Sequence, residues 1–140
     1  MRLEFLSIAD AANNAADGKL NALGLGTRIV NVTSLPAGMP LAIVGSVSAS
    51  VEEAGEYDLD LLLVEPDGTE VPLVATRATV PSEVMDSRVP TGAGFVVAWL
   101  ATFRIEGVHM IRARFGDVHG GYDFVVRLTR STPEPVTSVP

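Results

Sequence analysis

The sequence predicts an all-β fold, a sandwich of about seven to nine short strands. Apolar and polar residues alternate along most of the chain, and the 3.6-residue period of an amphipathic helix hardly appears. Glycine, proline and aspartate residues that favour turns separate the alternating segments. The chain has 140 residues, 47% of them hydrophobic, which suits one domain with a sizeable core. We expect this domain over residues 1–130 and a flexible or partner-held tail, which lacks periodicity, over residues 131–140.

The first part of the chain predicts four short strands and two irregular segments. Residues 9–18 are rich in alanine and lack an apolar stripe, but their composition allows one helical turn. Residues 34–40 are expected to form a loop, because proline ends strands. The predicted strands are RLEFLSIA, KLNALGL, TRIVNV and LAIVGSVSASV.

The second part predicts two hairpins and a long connection between them. The first hairpin, EYDLDLLLVEPDGTEVPLV, turns at its PDG step. Residues 75–94 contain two prolines and are expected to pass over the end of a sheet. The last hairpin is expected to turn at Gly120 and Gly121 and to return along an alternating strand through Tyr122.

The segment FVVAWLATF, residues 95–103, is apolar on both faces of a strand. A sandwich strand usually shows one face to solvent, so the face that carries Val96, Ala98 and Leu100 needs a cover. The connection over residues 76–94 or another subunit would supply it, and we favour the subunit; a well-packed monomer is the alternative. Val96, Ala98 and Leu100 are therefore candidate interface residues.

Composition and charge exclude several classes of partner. The net charge of −7 and the pI of about 4.7 disfavour nucleic-acid binding, which needs clustered cations. The chain has no cysteine, so disulfides and thiolate metal sites are ruled out. The longest uncharged run contains two prolines and would break a membrane helix, and Glu4 and Asp10 interrupt a possible secretory signal. We expect a cytoplasmic protein, or a virion protein if a phage encodes it, without a membrane partner.

Arginines near the end of the chain suggest a site for a small anionic ligand. Arg112, Arg114 and Arg127 could hold an anionic or aromatic metabolite, such as a nucleotide, together with Trp99 or Tyr122. These five residues are the candidate ligand-binding set.

Two other patterns in the sequence resemble binding motifs but favour a structural interpretation. Glu56, Asp58 and Asp60 share one face of a strand and are weak candidates for binding calcium. Alternate residues of a strand lie about 7 Å apart, which is too far for all three to bind one ion. A solvated acidic face is therefore the favoured interpretation.

Gly24 and Gly26 lack the third glycine and the helix of a dinucleotide loop. We expect Asp17 and Gly18 to form the turn of a hairpin, and Gly24 and Gly26 to form a bulge or a tight backbone crossing.

The two histidines do not complete a catalytic group. His109 falls on the expected core face, where a structural hydrogen bond is favoured, and His119 lies near Asp117 with no third partner in the sequence. We therefore expect no enzyme activity, no catalytic residue and no cofactor.

Two resemblances to known families support an all-β domain. The stretch ADAANNAADGKLNALGLGTRI resembles the opening of a family of small uncharacterised bacterial or phage all-β domains, in which Asp-Gly-Lys-Leu-Asn precedes a Leu-Gly-x-Gly step. The closing hairpin and DLLLVEPDGTEV resemble segments of immunoglobulin-like domains. The first implies an all-β domain without an assigned activity, and the second implies an immunoglobulin-like β-sandwich.

The expected function is that of a non-catalytic interaction or assembly module. It would bind copies of itself as a homo-oligomer, or other proteins of a larger particle such as a phage virion. The alternative is a protein that sequesters an anionic metabolite or nucleotide.

Overall fold

The computed structural model describes residues 1–15, 19–82 and 91–129, and these residues form an all-β sandwich, as the sequence predicted. One short 3-10 turn, Val51–Glu53, interrupts the strands. No helix in the described ranges is long and apolar enough to cross a membrane. The predicted tail, residues 131–140, lies outside the described residues. The strands are β1 Arg2–Ala9, β2 Ala11–Asn14, β3 Leu20–Leu23, β4 Ile29–Val32, β5 Ala37–Ala49, β6 Gly55–Val64, β7 Glu70–Val80, β8 Thr91–Phe103, β9 Gly107–Phe115 and β10 Val118–Leu128.

Two sheets and one separate hairpin make up the architecture. A three-stranded sheet has the order β1-β5-β8, and a five-stranded sheet has the order β4-β10-β9-β6-β7. Neighbouring strands are antiparallel except β4, which runs parallel to β10. Strands β2 and β3 form a two-stranded antiparallel hairpin, which bears out the hairpin predicted near the N-terminus. Its expected Asp17-Gly18 turn lies outside the described residues.

The core fills the space between the two sheets and contains a cluster of aromatic rings. Phe103 packs edge-on against Trp99 and His109, with ring centroids 5.7 and 5.4 Å apart. His109 also stacks on Phe124 at 5.5 Å. These side chains come from β8, β9 and β10, so the cluster ties the two sheets together.

Two predicted irregular segments of the first half each contain part of a strand. The alanine-rich stretch forms β2 instead of a helical turn, because it pairs with β3 from Ala11 to Asn14. The predicted proline loop is also partly wrong, since β5 begins at Ala37 and contains Pro40. Strand β1 pairs with β5 only as far as Ala42, so the missing N–H of Pro40 removes no hydrogen bond to β1.

Two predicted features of the second half also need correction. The long connection is shorter than expected, because β7 extends to Val80 and β8 begins at Thr91. The last hairpin turns at Gly116 and Asp117, and Gly120 lies inside β10. A Cβ at Gly120 would lie 2.1 Å from Leu3 Cδ2, so this glycine makes room for a packed side chain from β1.

Gly45 in β5 provides a matched test of packing against β8. A Cβ at Gly45 would lie 2.1 Å from Cζ of the Phe95 ring, whereas a Cβ at Gly38 of the same strand would lie 3.8 Å from the Ala101 carbonyl oxygen. We expect Gly45→Ala to lower the free energy of unfolding by about 1–3 kcal/mol through overpacking. Gly38→Ala should change it by less than about 0.5 kcal/mol. Urea unfolding measures both, and equal midpoints would refute the described contact of Phe95 with Gly45.

Candidate interaction surface

Strand β8 has one buried face and one partly open face. Its inward residues Phe95, Trp99 and Phe103 belong to the core, as the alternation predicted. On the outward face Val96 is half-buried and Ala98 is exposed. Leu100 is 78% exposed, the largest fraction among the exposed large hydrophobic side chains of the described residues. The second face is thus covered at one end of the strand and open to solvent at the other.

The cover comes from the β2–β3 hairpin, which sequence reasoning did not identify. Val96 and Leu20 pack on a small apolar cluster formed by Ala42 and Val44 of β5 with Ala9 of β1. A Cβ at Gly94 would lie 3.1 Å from the nearest carbon atoms of Leu20, so the hairpin approaches the β8 backbone closely. The expected cover by the 76–94 connection is not found in its described part, most of which belongs to β7 and β8.

The edge of β8 differs from the other three edges of the two larger sheets. Strand β8 is an outer strand, with β5 as its hydrogen-bonded neighbour in the described structure. It spans 13 residues, contains no charged residue or proline, and keeps an unbroken register with β5. Natural sheet edges are usually very short or carry charges, prolines or bulges, and each of these features prevents pairing with other chains. Strand β8 has none of these protections.

Each remaining edge carries at least one such feature. Strand β1 has an irregularity between Leu3 and Phe5 and carries the charged pair Arg2 and Glu4. Strand β4 is four residues long. Strand β7 contains Pro72 and charged residues, and its register with β6 shifts. We call residues 97–103 of β8, which lie beyond the hairpin cover, the open edge.

A groove lies between the open edge and β7. It has a volume of about 490 Å³ and is lined by apolar side chains, among them Val71, Leu73 and Leu100. At one end Arg104 Nη2 donates to both carboxylate oxygens of Glu65, at 2.8 and 2.7 Å. The Glu65 side chain is 4% exposed, and its hydrogen bonds raise the pKa of Arg104 above its usual value. The two charges lining this groove therefore neutralise each other.

The predicted ligand-binding residues do not come together. Arg112 pairs with Glu70 at 3.0 Å, and Arg114 pairs with Asp60, whose hydrogen bonds raise the pKa of Arg114. Arg127 donates to Asn31 Oδ1 at 3.1 Å. Arg112 lies opposite Gly121 in the register, so six residues of β10, about 20 Å, separate it from Arg127.

The two aromatic members of that set lie in the core. Trp99 packs on Phe103 and Phe124, and the Tyr122 hydroxyl donates to the carbonyl oxygen of Thr27 at 2.8 Å. Both side chains point between the sheets, whereas Arg112 and Arg114 pair with acids on the outer face of the five-stranded sheet. The structure thus does not form one pocket from these five residues.

The acidic candidates contact arginines. Arg77 lies 3.3 Å from Glu56 Oε2 and 3.5 Å from Asp58 Oδ1, and Asp60 pairs with Arg114. Within residues 1–15, 19–82 and 91–129, no three histidine, aspartate or glutamate side chains are grouped to hold a metal ion. The three acidic side chains are partly exposed and pair with arginines; the sequence indicated a solvated acidic face but did not predict these ion pairs.

The two histidines lie in different surroundings. His109 is 1% exposed and its Nδ1 lies 3.0 Å from the carbonyl oxygen of Gly107, which is the expected structural hydrogen bond. No residue in the described part of the chain forms a hydrogen bond with its Nε2. His119 is exposed in β10 opposite Arg114, and no hydrogen bond joins it to Asp117 in the described structure.

In the residues that the structure describes, fold and surface together define an all-β sandwich in which β8 is an edge strand without charge, proline or bulge. The chain belongs to DUF6941, a family of unknown function, whose sequence pattern matches residues 4–127. No curated protein matches the chain.

Solved structures show a similarity of fold. The structure of a β-glucosidase from Listeria innocua in complex with glucose has a TM-score of 0.53 at 8% identity, over 91% of this chain and 16% of the enzyme chain. The same enzyme in complex with isofagomine gives 0.50 at 7% identity, over 91% and 17%. This chain therefore corresponds to a small part of those enzymes, and the likeness concerns the fold alone.

Proposed function

We propose that this protein is a non-catalytic interaction module that binds another protein through the open edge. One observation carries the proposal: β8 is a 13-residue edge strand without charge, proline or bulge, and its Leu100 is 78% exposed. The other edges of the sandwich carry the features that prevent pairing, so the lack of them on β8 is specific to this strand.

The chemistry of the open edge favours an extended partner segment. An edge strand presents N–H and C=O groups that a further strand can pair with, and strand addition is a recurring way in which sheets bind peptides. Burying one leucine side chain contributes about 1.5–3 kcal/mol, so Leu100 would add apolar stabilisation to these hydrogen bonds. The adjoining groove beside Leu73 gives room for side chains of the added strand.

The proposal includes an immunoglobulin-like arrangement of the sandwich. The immunoglobulin fold has neighbouring strands A, B and E in one sheet and strands C, F and G in the other. If β1, β5 and β8 correspond to A, B and E, and β6, β9 and β10 correspond to C, F and G, both sheets follow this order. Strands β4 and β7 then extend the second sheet at its two edges. Such a module would serve in a homo-oligomer or in a larger particle, including a phage virion if its origin is bacterial or phage. We propose a cytoplasmic location for the homo-oligomer.

Native mass spectrometry of the protein extracted gently from its producing cells tests this function. We expect a complex heavier than one chain for the wild type and its loss for Leu100→Lys, since a lysine at the open edge opposes strand addition. Leu23→Lys is the matched control, because Leu23 is 73% exposed on the hairpin and should leave the complex intact. A wild-type spectrum that contains only the single chain would contradict the function.

A further inference from the structure

We infer that the segment which pairs with the open edge is the open edge of a second copy of this chain, antiparallel to it around a two-fold axis at Leu100. This inference rests on the proposed function and specifies its partner. It joins two three-stranded sheets into one continuous sheet of six strands. A two-fold pair of this kind closes on itself and leaves neither open edge unpaired.

The distribution of charge allows a second copy to approach at this place. Two chains that each carry a net charge of −7 repel each other, and the repulsion is strongest where acidic residues meet. Strand β8 has no charged residue, and the charged side chains lining the adjoining groove, Glu65 and Arg104, pair with each other. Two copies can therefore approach through β8 without bringing unpaired acids together.

Strand geometry restricts the register of the pair. Side chains alternate between faces, so outward residues of one copy must lie beside outward residues of the other. The hairpin covers β8 near Gly94 and Val96, which leaves residues 97–103 for pairing. A two-fold axis at Leu100 centres this segment: Leu100 lies opposite Leu100 of the second copy, and Ala98 lies opposite Thr102.

This register buries the most exposed apolar side chain on both copies at once. The seven paired residues would form about seven main-chain hydrogen bonds, because antiparallel strands average one bond for each residue pair. The two Leu100 side chains would lie side by side, about 5 Å apart at Cβ. The dimer is thus held by hydrogen bonds along the edge and by an apolar contact at its centre.

Single-cysteine cross-linking tests the register directly, because the natural chain has no cysteine. We expect Leu100→Cys to form a disulfide-linked dimer under mild oxidation at least tenfold faster than the exposed control Leu23→Cys. In an equal mixture, Ala98→Cys and Thr102→Cys should link to each other, since paired residues lie within the Cα distance that a disulfide needs. Ala98→Cys alone should link poorly, because two copies of residue 98 lie about 13 Å apart in this register. Equal rates for Leu100→Cys and Leu23→Cys would overturn the inference.

Sedimentation of the purified protein separates failure of this inference from failure of the proposed function. We expect the wild type to sediment as a dimer at high concentration, Leu23→Lys to do the same, and Leu100→Lys to sediment as a monomer. A purified wild type that stays monomeric up to millimolar concentration would overturn the pairing of two copies. If cell extracts still contained a complex that Leu100→Lys abolishes, the function would stand with a different protein as partner.

Discussion

Replacing Phe103 by alanine is expected to lower the free energy of unfolding by about 3–5 kcal/mol. Phe103 is 0% exposed and contacts Trp99, His109 and Phe124, so its removal leaves a cavity where both sheets meet. Urea unfolding, followed by circular dichroism or by the fluorescence of Trp99, measures the change. If the variant does not fold at all, Phe103→Leu should show a smaller loss of the same origin.

Leu100→Ala is the matched control for Phe103→Ala, three residues earlier on the same strand. Because Leu100 is 78% exposed in the single chain, its truncation should change the stability of the monomer by less than about 0.5 kcal/mol. The comparison is made with dilute protein, where the proposed dimer is dissociated. Similar losses for the two variants would mean that the open face of β8 is packed within one chain.

Lowering the pH from 7 to 5 is expected to destabilise the protein through His109. Burial lowers the pKa of His109 below its ordinary value of 6.5, against the weaker opposing effects of the Gly107 hydrogen bond and of Glu65 and Asp67. The unfolded chain therefore binds a proton below pH 6.5 that the folded chain excludes. The contribution of the neutral His109 side chain to the free energy of unfolding is complete above pH 6.5. It decreases as the pH falls towards the lowered pKa, by up to about 1.4 kcal/mol for each pH unit.

Two glutamine variants assign this pH dependence. His109→Gln cannot titrate but keeps a donor for the Gly107 carbonyl oxygen, so its stability should vary less between pH 7 and pH 5 than that of the wild type. His119→Gln removes the exposed histidine and should behave like the wild type. Urea midpoints at pH 5, 6 and 7 show which of the two histidines causes the dependence of stability on pH. A dependence that persists in His109→Gln would contradict the assignment to His109.

Strand identity was predictable where one face of a strand meets the core. The alternation of Leu59, Leu61 and Leu63 in β6 and of Ile111 and Ala113 in β9 reflects burial between the sheets, and the sequence shows that pattern directly. The buried position of His109 followed from the same alternation. The sequence alone therefore allowed the inference of a sandwich whose strands have one face in the core and one face towards solvent.

Features that depend on contacts between distant segments could not be predicted in the same way. Gly120 looked like a turn residue because its contact with Leu3, 117 positions earlier, leaves no local signal. The hairpin that covers Val96 comes from the N-terminal part of the chain, far from β8 in the sequence. The register between β9 and β10 decides how far Arg112 lies from Arg127, and register is not visible from one strand alone.

The open edge itself was only partly visible in the sequence. The two-sided apolar character of residues 95–103 is plain, and it led to Val96, Ala98 and Leu100 as interface candidates. The structure separates them, since Val96 packs against the hairpin of its own chain while Ala98 and Leu100 are open to solvent. That β8 lies at the edge of its sheet, beside a groove, depends on the order of the strands.

Amide hydrogen exchange along β8 tests the pairing of two open edges most directly. In concentrated wild-type protein, amides of residues 97–103 that point away from β5 should exchange slowly, whereas in Leu100→Lys at the same concentration they should exchange at the rate of unpaired strand amides. Amides that bond to β5 should be slow in both proteins. Equally fast exchange of the outward amides in both proteins would show that no strand pairs with this edge.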